Sequence, residues 1–300
     1  MGHVKRHTIN YPTRGSKINI IHSTLNEHRH HSVAAPHTGL LSFFRAIRYH
    51  NVVLRGLNDE EDQTMKLNDA MQHFSKLYGR RNRIFLPSLR DRIDFLNLAI
   101  GDLQDAVRKG VNEQLLGVAL ARVISRIFCI AEHFQELDIA WAMARKYGPD
   151  FCIYCRKEAC ACLERRNNVK PLECAEASRL SWSLQDWCNH LKRTYGTRNK
   201  EKGIENVINR LFKEVCEFLS LSMSVGNGTH EGCLETIEDE YAFELADTLA
   251  WTIAISNLLE IDLEAAILTR YGDGCAACCG NPCRCTRFGM APVRWKQQLV

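Results

Sequence analysis

The chain has 300 residues and a net charge of +4, with 45% hydrophobic and 25% charged residues. This length predicts two domains with ample chain for a core, and the composition is that of an ordinary globular protein. The longest nearly apolar run, residues 249–259, is too short to span a bilayer, and no charged leader precedes an apolar segment at the amino terminus. These features argue against membrane and secreted proteins and predict a cytoplasmic one.

Residues 1–60 form a basic, His-rich segment. They carry eight Lys and Arg against three Asp and Glu, so the rest of the chain is close to neutral. A near-neutral folded part argues against a large nucleic-acid-binding face. His28, His30 and His31 could bind metal, but the preferred interpretation is a polar tail, irregular apart from a helix near 39–49.

Two stretches of the chain match each other. The segment ending at Tyr147 aligns with the one ending at Tyr271, 124 residues later. Upstream, Tyr78-Gly-Arg-Arg-Asn matches Tyr195-Gly-Thr-Arg-Asn. A period this long indicates duplicated domains and not a solenoid of short repeats. The predicted copies are residues 61–163 and 176–286, followed by a tail, 287–300.

Each copy ends in a cysteine cluster with the spacing Cys-x2-Cys-x4-Cys-x-Cys. The first cysteine cluster is Cys152, Cys155, Cys160 and Cys162, and the second is Cys275, Cys278, Cys283 and Cys285. Clustered thiolates are typical of Zn²⁺, which takes four S or N ligands tetrahedrally, so a structural zinc is predicted in each. Redox-active or free thiols and an iron–sulfur cluster are the alternatives. Four ligands within eleven residues is tight, and a His or Cys from elsewhere could replace one of them.

The second copy has a helical pattern. Residues 163–178 before it have the composition of a linker. Apolar periodicity then predicts helices near 183–196, 202–224, 238–259 and 262–271. Ser183 with Asp186 predicts a capping box at the first of them. The Gly-rich loop 225–232 suits a mobile lid and a plain connection equally.

Two pairs of carboxylates lie on neighbouring predicted helices. They are Glu214-x-x-Glu217 and Glu244-x-x-Asp247. A spacing of three puts both acids of a pair on one helix face, where like charges repel. Mg²⁺ prefers oxygen ligands and commonly bridges carboxylates to substrate phosphates, so it is the cation that these pairs suit best. Two solvated acidic helix faces are the alternative interpretation.

The flanking residues carry a resemblance to a known family. The stretch Glu244-Leu-Ala-Asp-Thr-Leu-Ala-Trp251, followed by Asn257-Leu-Leu-Glu-Ile-Asp262, resembles the MazG-like nucleotide pyrophosphohydrolases, as does the first acidic pair. The resemblance covers about residues 181–272, and Lys213 departs from it because many members carry another Glu there. It implies an all-α fold and a hydrolase that binds Mg²⁺ through the four acids. The implied reaction cleaves a nucleoside triphosphate between its α and β phosphates. Any of the four acids that is not fully engaged by metal could take the proton of the attacking water, and Glu217 is the preferred candidate.

The first copy lacks half of this site. Asp102-x-x-Asp105 falls opposite the first acidic pair, whereas Leu120 and Val123 stand where copy two has its second pair. MazG-like enzymes generally work as dimers or larger assemblies. We therefore expect two tandem four-helix units that form a pseudo-dimer, in which the degenerate copy replaces the partner subunit. A homo-oligomer beyond this pseudo-dimer stays open.

Substrate contacts are predicted at four further residues. Lys213 and Arg270 could meet phosphates, although exposed Lys and Arg are usually solvated. Asn257 stands where the family carries a polar site residue. Trp251 could stack on a base, with core packing as the default. The recurrence of Lys-Tyr at 146–147 as Arg-Tyr at 270–271 favours a structural role for that pair.

Two other functions remain as alternatives. One is a protein that binds nucleic acid through two zinc knuckles, with the helices as scaffold. The near-neutral folded part argues against it. The other is a catalytically silent helical protein with a regulatory or assembly role, and the intact acids of copy two argue against that.

Overall fold

The regular elements of the described residues are helical. The computed structural model describes residues 64–134, 137–162, 176–230 and 236–286. The His-rich segment 1–60, most of the linker and the tail 287–300 lie outside them. The described elements are α1 (Leu67–Phe85), α2 (Leu89–Arg108), α3 (Glu113–Ala131), α4 (Ile139–Tyr147), a short 3₁₀ turn (Ala177–Ser181), α5 (Leu184–Lys202), α6 (Ile204–Gly226), α7 (Ile237–Leu258) and α8 (Leu263–Tyr271). The prediction of an all-α protein is confirmed for this part of the chain.

Local sequence accounts for the helix ends of copy two. The Ser183 side chain accepts from the Asp186 backbone and the Asp186 carboxylate accepts from the Ser183 backbone, so the predicted capping box is confirmed. The first helix runs past its predicted end at 196 and stops at Gly203, whose φ of 77° favours glycine. This single residue separates α5 from α6.

The helices repeat in order. Helices α1 to α4 have lengths of 19, 20, 19 and 9 residues, and α5 to α8 have lengths of 19, 23, 22 and 9. The short last helix begins with an Asp cap in both halves, at Asp138 and Asp262, and each cap accepts from the backbone N–H three residues later. Both halves therefore build the same run of three long helices and one short helix.

The short helices cross between the halves. Helix α4 packs against α7, and α8 packs against α3, while α3 and α7 also contact each other. The side chains of α3 and α7 are buried on most sides. Leu120 and Val123 are fully buried on α3, as expected for apolar residues that replace acids. Helices α3 and α7 thus form the centre of the fold, and each is covered by the short helix of the other half.

Matching hydrogen bonds tie the crossed elements together. His73 on α1 contacts the carbonyl of Tyr271 at 3.2 Å, and His190, 117 residues later on α5, contacts the carbonyl of Tyr147 at 2.7 Å. The aromatic rings repeat the pattern, with Tyr78 edge-on to Tyr271 and Tyr195 edge-on to Tyr147. Each half therefore holds the end of the other half's short helix in the same way.

Helix α3 is also the described helix that is long and apolar enough to cross a membrane by length and composition. Of its most apolar stretch, 72% is buried inside the fold. A helix in the core of a globular protein can be as long and as apolar as a membrane span, and α3 lies in the core of this fold.

Candidate metal and substrate site

Three carboxylates meet between α6 and α7. One oxygen each from Glu214, Glu217 and Glu244 lie within 4.8 Å of one another, close enough to hold a metal ion. Glu214 is fully buried and accepts a hydrogen bond from the indole N–H of Trp251 at 3.2 Å. Glu217 is 44% exposed and is paired with Lys213 one turn before it. The site therefore runs from a buried carboxylate to one that faces solvent.

The fourth predicted acid, Asp247, is bound differently. Its side chain is only 2% exposed and lies outside the cluster of three. One of its oxygens accepts from Lys146 Nζ at 2.5 Å, and the other accepts from the hydroxyl of Tyr147. Burial and the neighbouring carboxylate raise the pKa of Tyr147 well above its ordinary value, so its hydroxyl stays a donor. The end of α4 thus reaches the acids of copy two.

An open cleft lies next to the residues that contact these acids, and the acids themselves do not line it. Trp251, Lys146 and Tyr147 line it, and these are the residues that contact Glu214 and Asp247. The cations lining the cleft are Lys146, Arg198, Lys202 and Arg210, and the aromatic residues are Tyr147, Tyr154, Tyr195 and Trp251. Clustered cations suit phosphates and aromatic faces suit a flat ring, so the cleft can take an anionic, partly aromatic ligand.

The cysteine clusters have the geometry of metal sites. The four sulfurs of each cluster lie within 4.8 Å of one another, and the described cysteines form no disulfides. Cys152 Sγ lies 3.9 Å from Cys162 Sγ, and Cys275 Sγ lies 3.8 Å from Cys285 Sγ. Zn–S bonds of about 2.3 Å in a tetrahedron place ligand sulfurs about 3.8 Å apart. Both clusters can therefore hold zinc with the four predicted ligands.

In each cluster the pKa of the second cysteine is lowered to about 6. The backbone N–H groups of Arg284 and Gly280 donate to Cys278 and lower its pKa to about 6. Burial raises the pKa of the equivalent Cys155, but the N–H groups of Ala161 and Lys157 outweigh it and lower the pKa to about 6. Since the thiolate is the form that binds zinc, the lowered pKa of these two cysteines favours metal binding.

The predicted substrate residues divide into two groups. Trp251 lines the cleft beside the acids. Asn257 instead donates to the backbone carbonyl of Cys188 at 3.0 Å, which holds α7 against α5. Arg270 packs over the ring of Tyr271, whose hydroxyl contacts Ser125 on α3 of the other half. The crossing of the short helices thus brings Lys146, and not the equivalent Arg270, to the acids of copy two.

The recurrence of the Lys-Tyr pair in the sequence favours a structural role for Lys146 and Tyr147. Both contact Asp247 and line the cleft, which gives them a place in the candidate site. Arg198 and Lys202, which the sequence analysis did not single out, also line the cleft. The duplication could have indicated Lys146 and Tyr147 as site residues. The last helix of one subunit in a dimer can pack on the other subunit, and α4 packs on copy two in the same way.

No protein-family model matches this chain, and neither a curated protein nor a solved structure shows significant similarity to it. The resemblance to the MazG-like enzymes therefore depends on the two acidic pairs and on the residues that flank them in the sequence.

Proposed function

We propose that this chain is a Mg²⁺-dependent nucleoside triphosphate pyrophosphohydrolase, with its site at the carboxylates of α6 and α7. The observation that carries the proposal is the hydrogen bond from Trp251 to Glu214, which connects three clustered acids to a cleft lined by cations and aromatic side chains. Acids suit a divalent cation, cations suit phosphates, and aromatic faces suit a base. A nucleoside triphosphate is a ligand that uses all three.

The donor set suits Mg²⁺. Ligand oxygens about 2.1 Å from an octahedral Mg²⁺ lie about 3 to 4 Å apart, so the three carboxylates need only a small contraction. Two ionised carboxylates at the 4.8 Å limit of this cluster would repel by about 3 kcal/mol at an effective dielectric of about 20, and a divalent cation would relieve that repulsion. When bound, Mg²⁺ would neutralise phosphate charge and make a water molecule more acidic.

Side chains of the protein would do the remaining work. Glu217 is 44% exposed and can accept the proton of a water that attacks the triphosphate. Lys146 and Arg198 would hold phosphate oxygens, and Trp251 would stack on the base. Hydrolysis of the bond between the α and β phosphates would release pyrophosphate and a nucleoside monophosphate.

The tandem arrangement supports the same proposal. In MazG-like dimers, helices of neighbouring subunits pack together. Here α4 of copy one packs against α7 of copy two and brings Lys146 to Asp247. Copy one, which has Leu120 and Val123 in place of acids, would then act as the partner subunit in a pseudo-dimer with one working site.

The test is product analysis with the full chain. Incubation with a panel of ribo- and deoxyribonucleoside triphosphates and Mg²⁺ should give pyrophosphate and monophosphate in equal amounts, and EDTA should stop the reaction. Release of inorganic phosphate and diphosphates would contradict the proposed cleavage site. A folded, zinc-loaded chain that yields no product from any substrate would instead support the catalytically silent alternative.

A further inference from the structure

The two cysteine clusters occupy equivalent positions but have different neighbours. The backbone N–H of Cys160 donates to the carbonyl of Thr194 on α5, and that of Cys283 donates to the carbonyl of Leu77 on α1. Thr194 and Leu77 correspond in the duplication, 117 residues apart. Each cluster therefore fastens to the first helix of the other half in the same way.

The first cysteine cluster also borders the cleft. Ile153, Tyr154 and Cys162, which belong to the loop that carries this cluster, line the cleft together with Trp251 and Ala254 of α7. The positions in copy one that correspond to Trp251 and Ala254 are Ile127 and Ile130, and both are fully buried. In the half of the fold next to the second cluster, the larger side chain of Ile130 thus fills the position that Ala254 occupies beside the cleft.

Arg198 connects the first cluster to the acids. Its guanidinium donates to Cys160 Sγ at 3.8 Å and lies over the rings of Tyr195 and Trp251, at 4.8 and 5.6 Å. Trp251 in turn donates to Glu214. A zinc ion with four thiolates carries a net charge of −2, so a loaded cluster would hold this guanidinium in place at the edge of the cleft.

We infer that a zinc centre in the first cysteine cluster is part of the nucleotide site of copy two, whereas the second cluster serves stability alone. Zinc fixes the loop that forms one wall of the cleft, and Arg198 is a positioning residue held between Cys160 and Trp251. The ligand recognised there is a polyphosphate chain. The inference rests on the proposed function for the identity of the ligand but not for the difference between the clusters.

The duplication provides matched variants for the test. Cys162→Ser and Cys285→Ser each remove the last ligand of one cluster in the full chain. Zinc content and melting temperature should fall similarly in both. Binding of inorganic tripolyphosphate with Mg²⁺, measured by calorimetry, should weaken about tenfold or more in Cys162→Ser and stay within about twofold in Cys285→Ser.

A second pair keeps all cysteines and covers the case in which Cys162→Ser does not fold. Arg198→Gln should weaken tripolyphosphate binding about tenfold with zinc content unchanged, because a charged donor is lost. Arg81→Gln is its control, since Arg81 lies over Tyr78 and donates to Asn82 as Arg198 does with Tyr195 and Asn199. Its binding should stay within about twofold of wild type.

Equal losses within a pair, or no loss in either member, would overturn the inference, as would a wild-type chain that does not bind tripolyphosphate. The proposed function can fail separately. A chain that binds tripolyphosphate with the expected asymmetry but releases no pyrophosphate from any nucleotide would contradict the enzyme and leave the zinc-dependent site intact.

Discussion

Asp247 is a buried carboxylate held by two side chains from the other half of the chain. Lys146 neutralises its charge and the hydroxyl of Tyr147 satisfies its second oxygen. Removing one donor from a buried carboxylate leaves part of its desolvation cost uncompensated. The hydroxyl of Tyr271, at the equivalent position, donates to the neutral hydroxyl of Ser125 at 3.4 Å and accepts from Arg270 at 3.1 Å, so its acceptor is not a buried carboxylate.

This difference predicts unequal effects of the same substitution. Tyr147→Phe should lower the free energy of unfolding by about 1–3 kcal/mol, and Tyr271→Phe by about 1 kcal/mol or less. Tyr147→Phe should also reduce pyrophosphate release, because Asp247 loses the hydrogen bond from the Tyr147 hydroxyl that helps to orient it towards Lys146. Denaturant unfolding and turnover of the two variants provide the check. Identical losses in both would contradict a special role for the contact with Asp247.

His190 predicts a pH dependence of stability. Its ring is 2% exposed and contacts the carbonyl of Tyr147. Burial and then the nearby Arg179 and Arg193 lower its pKa below the ordinary 6.5. The unfolded chain therefore binds more protons than the folded chain below pH 6.5, and stability should fall as the pH decreases through that range.

For one group the decrease is at most about 1.4 kcal/mol per pH unit. His190→Gln removes the titrating ring and should flatten the decline in the free energy of unfolding between about pH 6.5 and pH 5. Urea unfolding at several pH values measures the slope. A slope that is unchanged in the variant would assign the pH dependence to other groups.

At the scale of elements, each cysteine cluster follows a short helix and fastens it to the opposite half. Zinc in these clusters should contribute directly to folding. Metal analysis should find close to two zinc ions per chain, and chelation should lower the melting temperature. Metal-free protein with unchanged melting would contradict a structural role for the clusters.

Local patterns were sufficient to predict several elements. The helices of copy two, the capping box at Ser183 and the two cysteine clusters follow from spacing within a few residues. The sequence pattern predicts the end of α5 too early, at 196 and not at Gly203, because the polar end of this helix lacks a clear apolar period. The crossing of α4 onto α7 depends on contacts such as that of Lys146 with Asp247, 101 residues apart, which no local pattern encodes. The sequence therefore could not place Lys146 beside the acids of copy two.

At the scale of the whole molecule, the crossing makes the two halves depend on each other. Residues 176–286 alone would lack two helices of copy one that pack against this half. These are α4, which covers α7, and α3, which contacts α7 and α8. This fragment should therefore aggregate or self-associate, whereas residues 61–286 should form a compact unit. Analytical ultracentrifugation of both distinguishes the outcomes. A monomeric, stable and fully active fragment would refute the interdependence.

The duplication provides an internal control for the proposal that the acids of copy two perform Mg²⁺-dependent hydrolysis. Glu217 and Asp105 occupy matching positions, are 44% and 43% exposed, and both pair with a lysine four residues away along the chain. Replacing either carboxylate by its amide should therefore change the free energy of unfolding little, and to the same extent in both variants.

The most direct measurement is pyrophosphate release from nucleoside triphosphate by wild type, Glu217→Gln and Asp105→Asn. We expect Glu217→Gln to lower the rate by about 100-fold or more, with unchanged melting, and Asp105→Asn to stay within about twofold of wild type. Glu244→Gln should abolish turnover as well, since it removes another of the three clustered carboxylates. Full activity in Glu217→Gln and Glu244→Gln would contradict the assignment of this site.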